Sequence, residues 1–501
     1  MTSVPSPDST TSDPQAGTDH ATPPHVGRLI ALLVAAAFVV ILNETIMSVA
    51  LPKLMVEFDV GAATAQWMTT AFMLTMAVVI PVTGYLMTRL SLRTVFLIAM
   101  SSFLVGTLIA ASAPVFPVLV AGRVVQAVGT ALMMPLLFTT VLNVVAVERR
   151  GRTMGLISIV IAVAPAVGPT IGGVVLDQLS WRWMFWLVLP IAGLATFFGG
   201  LWIRNVTEPR RVPLDSLSVV LSAFAFSGLV FGLSSIGEAA EGDPLMPIWI
   251  PLTVGVLALA AFVVRQGALG DRALLDLRAF LTPAFSLATV LVAVSMMALF
   301  GTLILLPIYL QSVLGQTPLE AGLMLLPGGL TLGALGLVVG GLFDRYGARP
   351  LVPPGAAVAS AALWGMTTLG ADSTVLTVIG WHVLLNIGLA FMFSPLLTAA
   401  LGSLPRALYS HGSAIVSTLQ QVAGAAGTAL FITVMTRTTV DGAERGVEEV
   451  TALADGIHAA LVWGAGISLL AVVGALFVRR PDPVVEPGLE ADEGSLVDSA
   501  V

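Results

Sequence analysis

The sequence predicts an all-α polytopic membrane protein with fourteen transmembrane helices. Three observations predict it. Of the 501 residues, 57% are hydrophobic and 10% are charged, against about 25% charged in an average soluble domain. Apolar runs of about 20 residues, the length that crosses a bilayer, recur from one end to the other. The basic residues then fall on one side of the spans those runs imply. No single soluble fold buries that much apolar surface, so an ordinary cytosolic protein and a disordered chain are both excluded. The net charge of −7 excludes a nucleic-acid partner, because phosphate binding needs clustered cations. With no cysteine, disulfides, thiolate zinc sites and thiol chemistry are excluded too.

Residues 1–26 are rich in Pro, Ser, Thr and Asp, with no basic region leading directly into a short apolar stretch. They read as a disordered cytoplasmic tail, not a cleaved signal peptide. Six apolar segments follow, at 28–51, 62–87, 94–113, 116–146, 153–176 and 183–204, and make a first bundle over 27–205. Segments 215–236 and 246–265 form a two-helix insert over 206–270, which could also be one re-entrant region. Six more, at 284–310, 318–343, 351–370, 374–402, 411–436 and 457–478, make a second bundle over 271–480. Residues 481–501, carrying Asp482, Glu486, Glu490, Asp492 and Glu493, read as a disordered acidic tail.

With the N-terminus inside, seventeen of the 22 Lys and Arg lie on the inner side, among them Arg28, Arg89, Arg93, Arg149, Arg150, Arg152, Arg345, Arg349 and Arg406. Lys53, Arg182, Arg437 and Arg445 lie outside, and Arg123 lies within a span. This bias supports an even number of crossings with both termini cytoplasmic. Twelve crossings would keep the parity. A repeat is also visible, since Gly84 and Gly168 are 84 residues apart, as are Gly340 and Gly424. Glycine is common in membrane helices, so the match could be coincidence. Read as a repeat, it implies two parallel six-helix halves, a transporter architecture.

Glu44 sits in the first segment, in Ile41-Leu42-Asn43-Glu44-Thr45-Ile46-Met47. A charge within a span costs about 2.5–3.5 kcal/mol on insertion scales, so such a residue faces a cavity, pairs with a cation or takes a proton. Proton coupling and a structural ion pair are both open for it. Arg123, in the fourth segment, stays protonated and needs a counter-charge or carbonyl oxygens. We expect Arg123 and Glu44 to approach each other, with Gln126 completing a polar network; capping of backbone carbonyls is the alternative. The fifth segment contains Ala164-Pro165-Ala166-Val167-Gly168-Pro169-Thr170-Ile171-Gly172-Gly173. Small residues allow close helix approach and Pro kinks a helix, so this run predicts a hinge or a packing seam.

Taken together, these motifs resemble the major facilitator superfamily and, within it, the fourteen-helix drug:proton antiporters. Gly168-Pro169-x-x-Gly172-Gly173 resembles the antiporter motif, and Arg123-x-x-Gln126 the motif tied to proton coupling. Leu42-Asn43-Glu44-Thr45-Ile46 through Ala50-Leu51-Pro52 is similar to the first-helix motif. Trp181-Arg182-Trp183-x-Phe185 resembles the opening of the sixth helix, and Gly340-x-Leu342-x-Asp344-Arg345-x-Gly347-x-Arg349 the cytoplasmic gating loop. The first-half copy of that loop keeps Gly84, Arg89 and Arg93 but has Thr88 where the family has Asp and Ser91 where it has Gly. It therefore lacks the acid that would latch that side. Helix 4 has Ala127 where Gly is common. The match covers about 28–480. The resemblance implies the major facilitator fold, two six-helix bundles plus two inserted helices. It also implies export of hydrophobic or amphipathic drugs in exchange for protons across the cytoplasmic membrane.

For the substrate cavity the candidates are Asn43, Gln66, Trp67, Met297, Phe300, Asn386 and Gln420, because Met and aromatic surfaces adapt to varied apolar ligands. The five histidines show no metal-ligand spacing, no phosphate-cradling Gly-x-x-x-x-Gly-Lys occurs, and Lys53 is the sole lysine. No metal, nucleotide or other cofactor is expected, nor any catalytic triad. The expected partners are small hydrophobic or amphipathic substrates, protons and the lipid bilayer. Export of one endogenous metabolite or lipid on the same fold is the nearest alternative. A non-transporting membrane sensor is the more distant one.

Overall fold

The computed structural model describes residues 24–60, 62–203, 213–238, 246–370 and 372–478. The two expected tails lie outside the described residues, apart from 24–26, which belong to the first helix. Proline is tolerated at the first helical position, where no amide hydrogen is needed, and the first helix starts at Pro24. The helices are α1 (Pro24–Ile46), α2 (Leu51–Phe58), α3 (Ala62–Arg89), α4 (Leu92–Ala111), α5 (Phe116–Val144), α6 (Arg150–Gln178), α7 (Trp183–Trp186) and α8 (Val188–Trp202). They continue as α9 (Ser216–Glu238), α10 (Trp249–Leu269), α11 (Pro283–Ile308), α12 (Pro318–Tyr346), α13 (Val352–Met366), α14 (Val375–Gly402), α15 (Tyr409–Glu444) and α16 (Glu449–Leu476).

A helix lies in each of the fourteen expected segments, but not all of them meet the measure of a crossing. Among the described residues twelve helices are long and apolar enough to span. A thirteenth is added if α6, bent by 42° between Pro165 and Thr170, counts as one span. The bend falls where Pro165 and Pro169 each remove a backbone donor from the helical ladder. α13 has 15 residues, short of the roughly 20 that cross a hydrocarbon core.

Packing follows from small residues. α4 and α5 cross closely because a Cβ at Gly122 would lie 2.8 Å from the Ala110 amide nitrogen. α1, α3, α4, α5, α6 and α8 pack among themselves, as do α11 to α16. Across these groups α6 lies along α12, and α15 lies against α3 and α5. α9 pairs with α10 and also touches both α3 and α15. A bidentate ion pair closes that hairpin, with Arg265 Nε and Nη2 each donating to Asp215 at 2.7 Å. Gln266 ties it to the chain entering α11, donating to Ser218 Oγ and accepting from the Leu274 amide, both at 2.7 Å.

Candidate functional site

Residues three apart share a helix face, so Arg123 and Gln126 leave α5 together. Arg123 is 1% exposed. Its Nη1 donates to Gln126 Oε1 at 2.6 Å and, more weakly, to Asn43 Oδ1 at 3.4 Å. Gln126 Nε2 donates in turn to Asn43 Oδ1 at 2.7 Å and to Thr107 Oγ1 at 2.8 Å. The guanidinium sits 4.0 Å over the Phe72 ring, an attraction of cation to ring face. Four helices, α1, α3, α4 and α5, therefore meet on one cation.

Glu44 stands beside this network without joining it. It lies deep in the protein and close enough to Arg123 for their charges to act on each other. Among the described residues it has no hydrogen bond and no ion pair. The expected approach of Glu44 to Arg123 is thus through space; amides, not the carboxylate, hold the guanidinium. Glu44 is half-buried. Two buried donors of the network, Asn43 Nδ2 and Arg123 Nε, have no hydrogen-bond partner among the described residues.

The next residue, Thr45, faces α6. Its hydroxyl lies within reach of its own helix at the Leu42 carbonyl (3.0 Å) and of α6 at the Ala164 carbonyl (3.3 Å). The glycines of the α6 run divide by surroundings. A Cβ at Gly168 would collide with the Thr45 side chain, and one at Gly172 would lie 3.0 Å from the Ile46 carbonyl oxygen. Gly173 meets open space. The side chain of Pro169 lies outside the described residues.

The residues expected to gate lie at the end of the bundle that carries Arg89, Arg93, Arg149, Arg152, Arg345, Arg349 and Arg406. Asp344 accepts from the backbone amides of Gly151 (2.6 Å) and Arg152 (2.9 Å), so a carboxylate sits on the N-terminus of α6. This is a favourable place for negative charge. Gly340 packs on the Gly151 carbonyl, and Gly347 ends α12 with φ +77°, which favours glycine. Arg345 stacks on Tyr346, and Arg349 and Arg93 are exposed. In the first-half loop, Thr88 turns back to the Gly84 carbonyl and Ser91 caps α4. The position of the missing acid is held by the Thr88 hydroxyl. Gly84 lies against α15 at Ser410 and Ala414, and Arg89 bonds Tyr85.

Two residues at this end escaped the sequence reading. Arg150 is buried, bonds the Leu142 carbonyl at 2.7 Å and reaches the Tyr409 hydroxyl at 3.3 Å, bridging α5, α6 and α15. Removing Asp344 removes two charge-assisted hydrogen bonds, each worth about 1.5–3 kcal/mol at most. Asp344→Ala should therefore open this end. We expect a cysteine placed near Gly151 in the cysteine-free chain to be alkylated faster, and transport to fall by about tenfold, since about 1.4 kcal/mol is one such factor. Unchanged labelling would show that the latch does not hold the seam.

At the opposite end, Glu57 accepts from Trp181 Nε1 at 2.7 Å and pairs with Arg182, which also donates to the Ala113 carbonyl at 3.1 Å. Burial pushes the Glu57 carboxyl up, but its bonds to Arg182 and Trp181 outweigh that and hold it below the usual carboxylate range.

The expected cavity residues do not form one ring. Asn43 and Asn386 are buried rather than lining a cavity: Asn43 is taken up by the Arg123 network, and Asn386 bonds the His382 carbonyl at 2.8 Å. Trp67 is 37% exposed and stacks on Phe231 of α9. Met297 lines a small apolar pocket between α11, α13, α14, α15 and α16, and packs on Gly427. Phe300 is 37% exposed with its ring against Gly424. Gln420 is half-buried with its amide nitrogen unpaired. The side chain of Gln66 lies outside the described residues. Phe300 stands 256 residues after Glu44, the same interval that separates Gly168 from Gly424. The counterpart contacts are one residue out of step, since Gly168 packs on Thr45 and Gly424 on Phe300, and the position of Glu44 is held by an apolar ring in the second half.

Comparison with known proteins gives one consistent result. The Major Facilitator Superfamily profile matches residues 33–428. The "Lincomycin resistance protein LmrB" of Listeria monocytogenes is 42% identical over 459 residues, covering 90% of this chain and 96% of the relative. The "Multidrug resistance protein B homolog" of Mycobacterium tuberculosis is 30% identical, over 82% of this chain and 76% of the relative. Among solved structures, the human organic anion transporter MFSD10 aligns with a TM-score of 0.64 at 16% identity, over 90% of this chain and all of that one. The proton:xylose symporter XylE aligns with a TM-score of 0.64 at 14% identity, over 92% and 97%. These two likenesses concern the fold alone.

Proposed function

The chain belongs to the Major Facilitator Superfamily of membrane transporters, and from that premise we propose that it is a proton-coupled antiporter of antibiotics. It exports hydrophobic or amphipathic drugs, lincosamides among them, across the cytoplasmic membrane by alternating access. The relatives named for lincomycin and multidrug resistance support the substrate class. The fourteen helical segments support fourteen crossings, with bundles over 27–205 and 271–480 and the α9–α10 insert between them. The arginine-rich end faces the cytoplasm, as the positive-inside rule requires, and both termini lie there.

One observation carries the proton coupling: Glu44 is a half-buried carboxyl deep in the protein, unbonded, beside a permanently charged guanidinium held by amides. Loss of a proton from Glu44 creates a charge that Arg123 attracts and that the unclaimed donors Arg123 Nε and Asn43 Nδ2 can receive. Gain of a proton removes that attraction. The two protonation states therefore favour different settings of α1 against α5, and each proton biases one side of a two-state equilibrium. Entry of each proton adds about 2.3 kcal/mol per 100 mV of membrane potential to the export step.

Expression in a bacterium stripped of its own exporters tests this reading. Lincomycin accumulation in the cells should fall several-fold, and a protonophore should restore it. Lower accumulation that persists after the proton gradient has collapsed, with ATP intact, would remove protons from the mechanism.

A further inference from the structure

We infer that Thr45 is the positioning residue that carries the state of Glu44 into the bend of α6. The inference rests on the antiport reading above. Consecutive residues on a helix point about 100° apart. Glu44 and Thr45 therefore address different neighbours, and that of Thr45 is α6. Thr45 is seated in the notch left by the missing side chain of Gly168, where a Cβ would overlap its Oγ1 and lie 2.9 Å from its Cβ. Its hydroxyl is 3.3 Å from the Ala164 carbonyl, one turn before Gly168. The contact thus falls at the 42° bend, where two prolines have already removed rungs of the ladder.

Beyond the bend, α6 runs antiparallel to α12 with almost no side chain between them. A Cβ at Gly155 would lie 2.8 Å from the Gly336 carbonyl carbon, and one at Gly336 would lie 2.8 Å from the Ser158 Cβ. Such backbone-to-backbone contact moves as a unit. A shift of α1 driven by the charge on Glu44 is delivered through Thr45 to the α6 bend, and from there to the seam between the halves. Thr45 itself binds neither proton nor drug.

The test uses the full chain in liposomes, with lincomycin as probe and with binding and pH-driven uptake measured separately. Thr45→Ala should leave lincomycin binding within about threefold, lower driven uptake by about tenfold and flatten its pH profile, while Thr45→Ser keeps most of the drive. Gly168→Ala should be inactive because its new methyl strikes Thr45 Oγ1. Adding Thr45→Ala removes the oxygen but leaves its Cβ at 2.9 Å, so it should recover uptake in part, to no more than the level of Thr45→Ala alone, and adding Thr45→Ser should not, because serine keeps the offending oxygen. Wild-type drive in Thr45→Ala overturns the inference, and so does a Gly168→Ala/Thr45→Ala double variant as inactive as Gly168→Ala. Glu44→Gln beside them separates the two levels. If it loses drive while Thr45→Ala keeps it, only the role of Thr45 fails; if it drives normally, the antiport reading fails and the inference with it.

Discussion

Glu44→Gln is expected to reduce proton-driven lincomycin transport by about a hundredfold, the scale on which loss of a proton-transferring group is felt, without lowering thermal stability. The two expectations belong together. Gln keeps the shape and polarity of the side chain but cannot exchange a proton near neutral pH. A structural ion pair would predict the opposite for stability, because removing one partner of a buried pair leaves the other charge uncompensated at a cost of about 3–5 kcal/mol. Here Arg123 is held by Gln126, Asn43 and the Phe72 ring, so it keeps its partners when the acid goes. Transport assays and thermal unfolding on the same preparation check both halves of the statement.

Gly155→Val is the second large effect. The atoms a side chain would meet at Gly155 are backbone, the Gly336 carbonyl carbon at 2.8 Å and the Leu337 Cα at 3.0 Å. They cannot swing aside as a flexible side chain could. Overpacking of a tight contact costs about 1–3 kcal/mol, and here the strain falls on the seam that must close and open in each cycle. We expect transport to be lost, with a lower unfolding temperature. Gly173→Ala is the matched control, because a Cβ there meets nothing within 4 Å. It should transport as the wild type does. Equal loss in both variants would mean that glycine serves α6 as a flexible element, not as a contact surface.

The sequence made the helices legible because long apolar runs have few other solutions, and arginine bias oriented them. A helix fills each of the fourteen expected segments, and twelve of those in the described residues have the length and composition of a crossing, because α13 is short and α6 is bent at its prolines. Arg123 and Gln126 could be found because their spacing puts them on one face of one helix. Phe72 and Thr107 could not, since nothing in their own helices marks them; only the fold brings them to the guanidinium. The same holds for Tyr409, which matters because the N-terminus of α15 meets Arg150. Thr45 was visible only as a neighbour of Glu44, and Gly168 as part of a repeat and a glycine-rich motif with no partner named for it. Their contact is a tertiary fact. Gly151 and Gly155, facing Gly336 and Gly340, did carry a signal, the small residue at every fourth position that lets membrane helices touch.

The most direct measurement places the protein in liposomes that enclose a pH-sensitive dye, with no pH difference imposed, and adds a lincomycin gradient. The account predicts that drug moving down its gradient drives protons the opposite way, seen as a change in internal pH. Glu44→Gln should show no such change while still binding the drug. Lincomycin crossing with no movement of protons in the wild type, or with the same movement in Glu44→Gln, would contradict it.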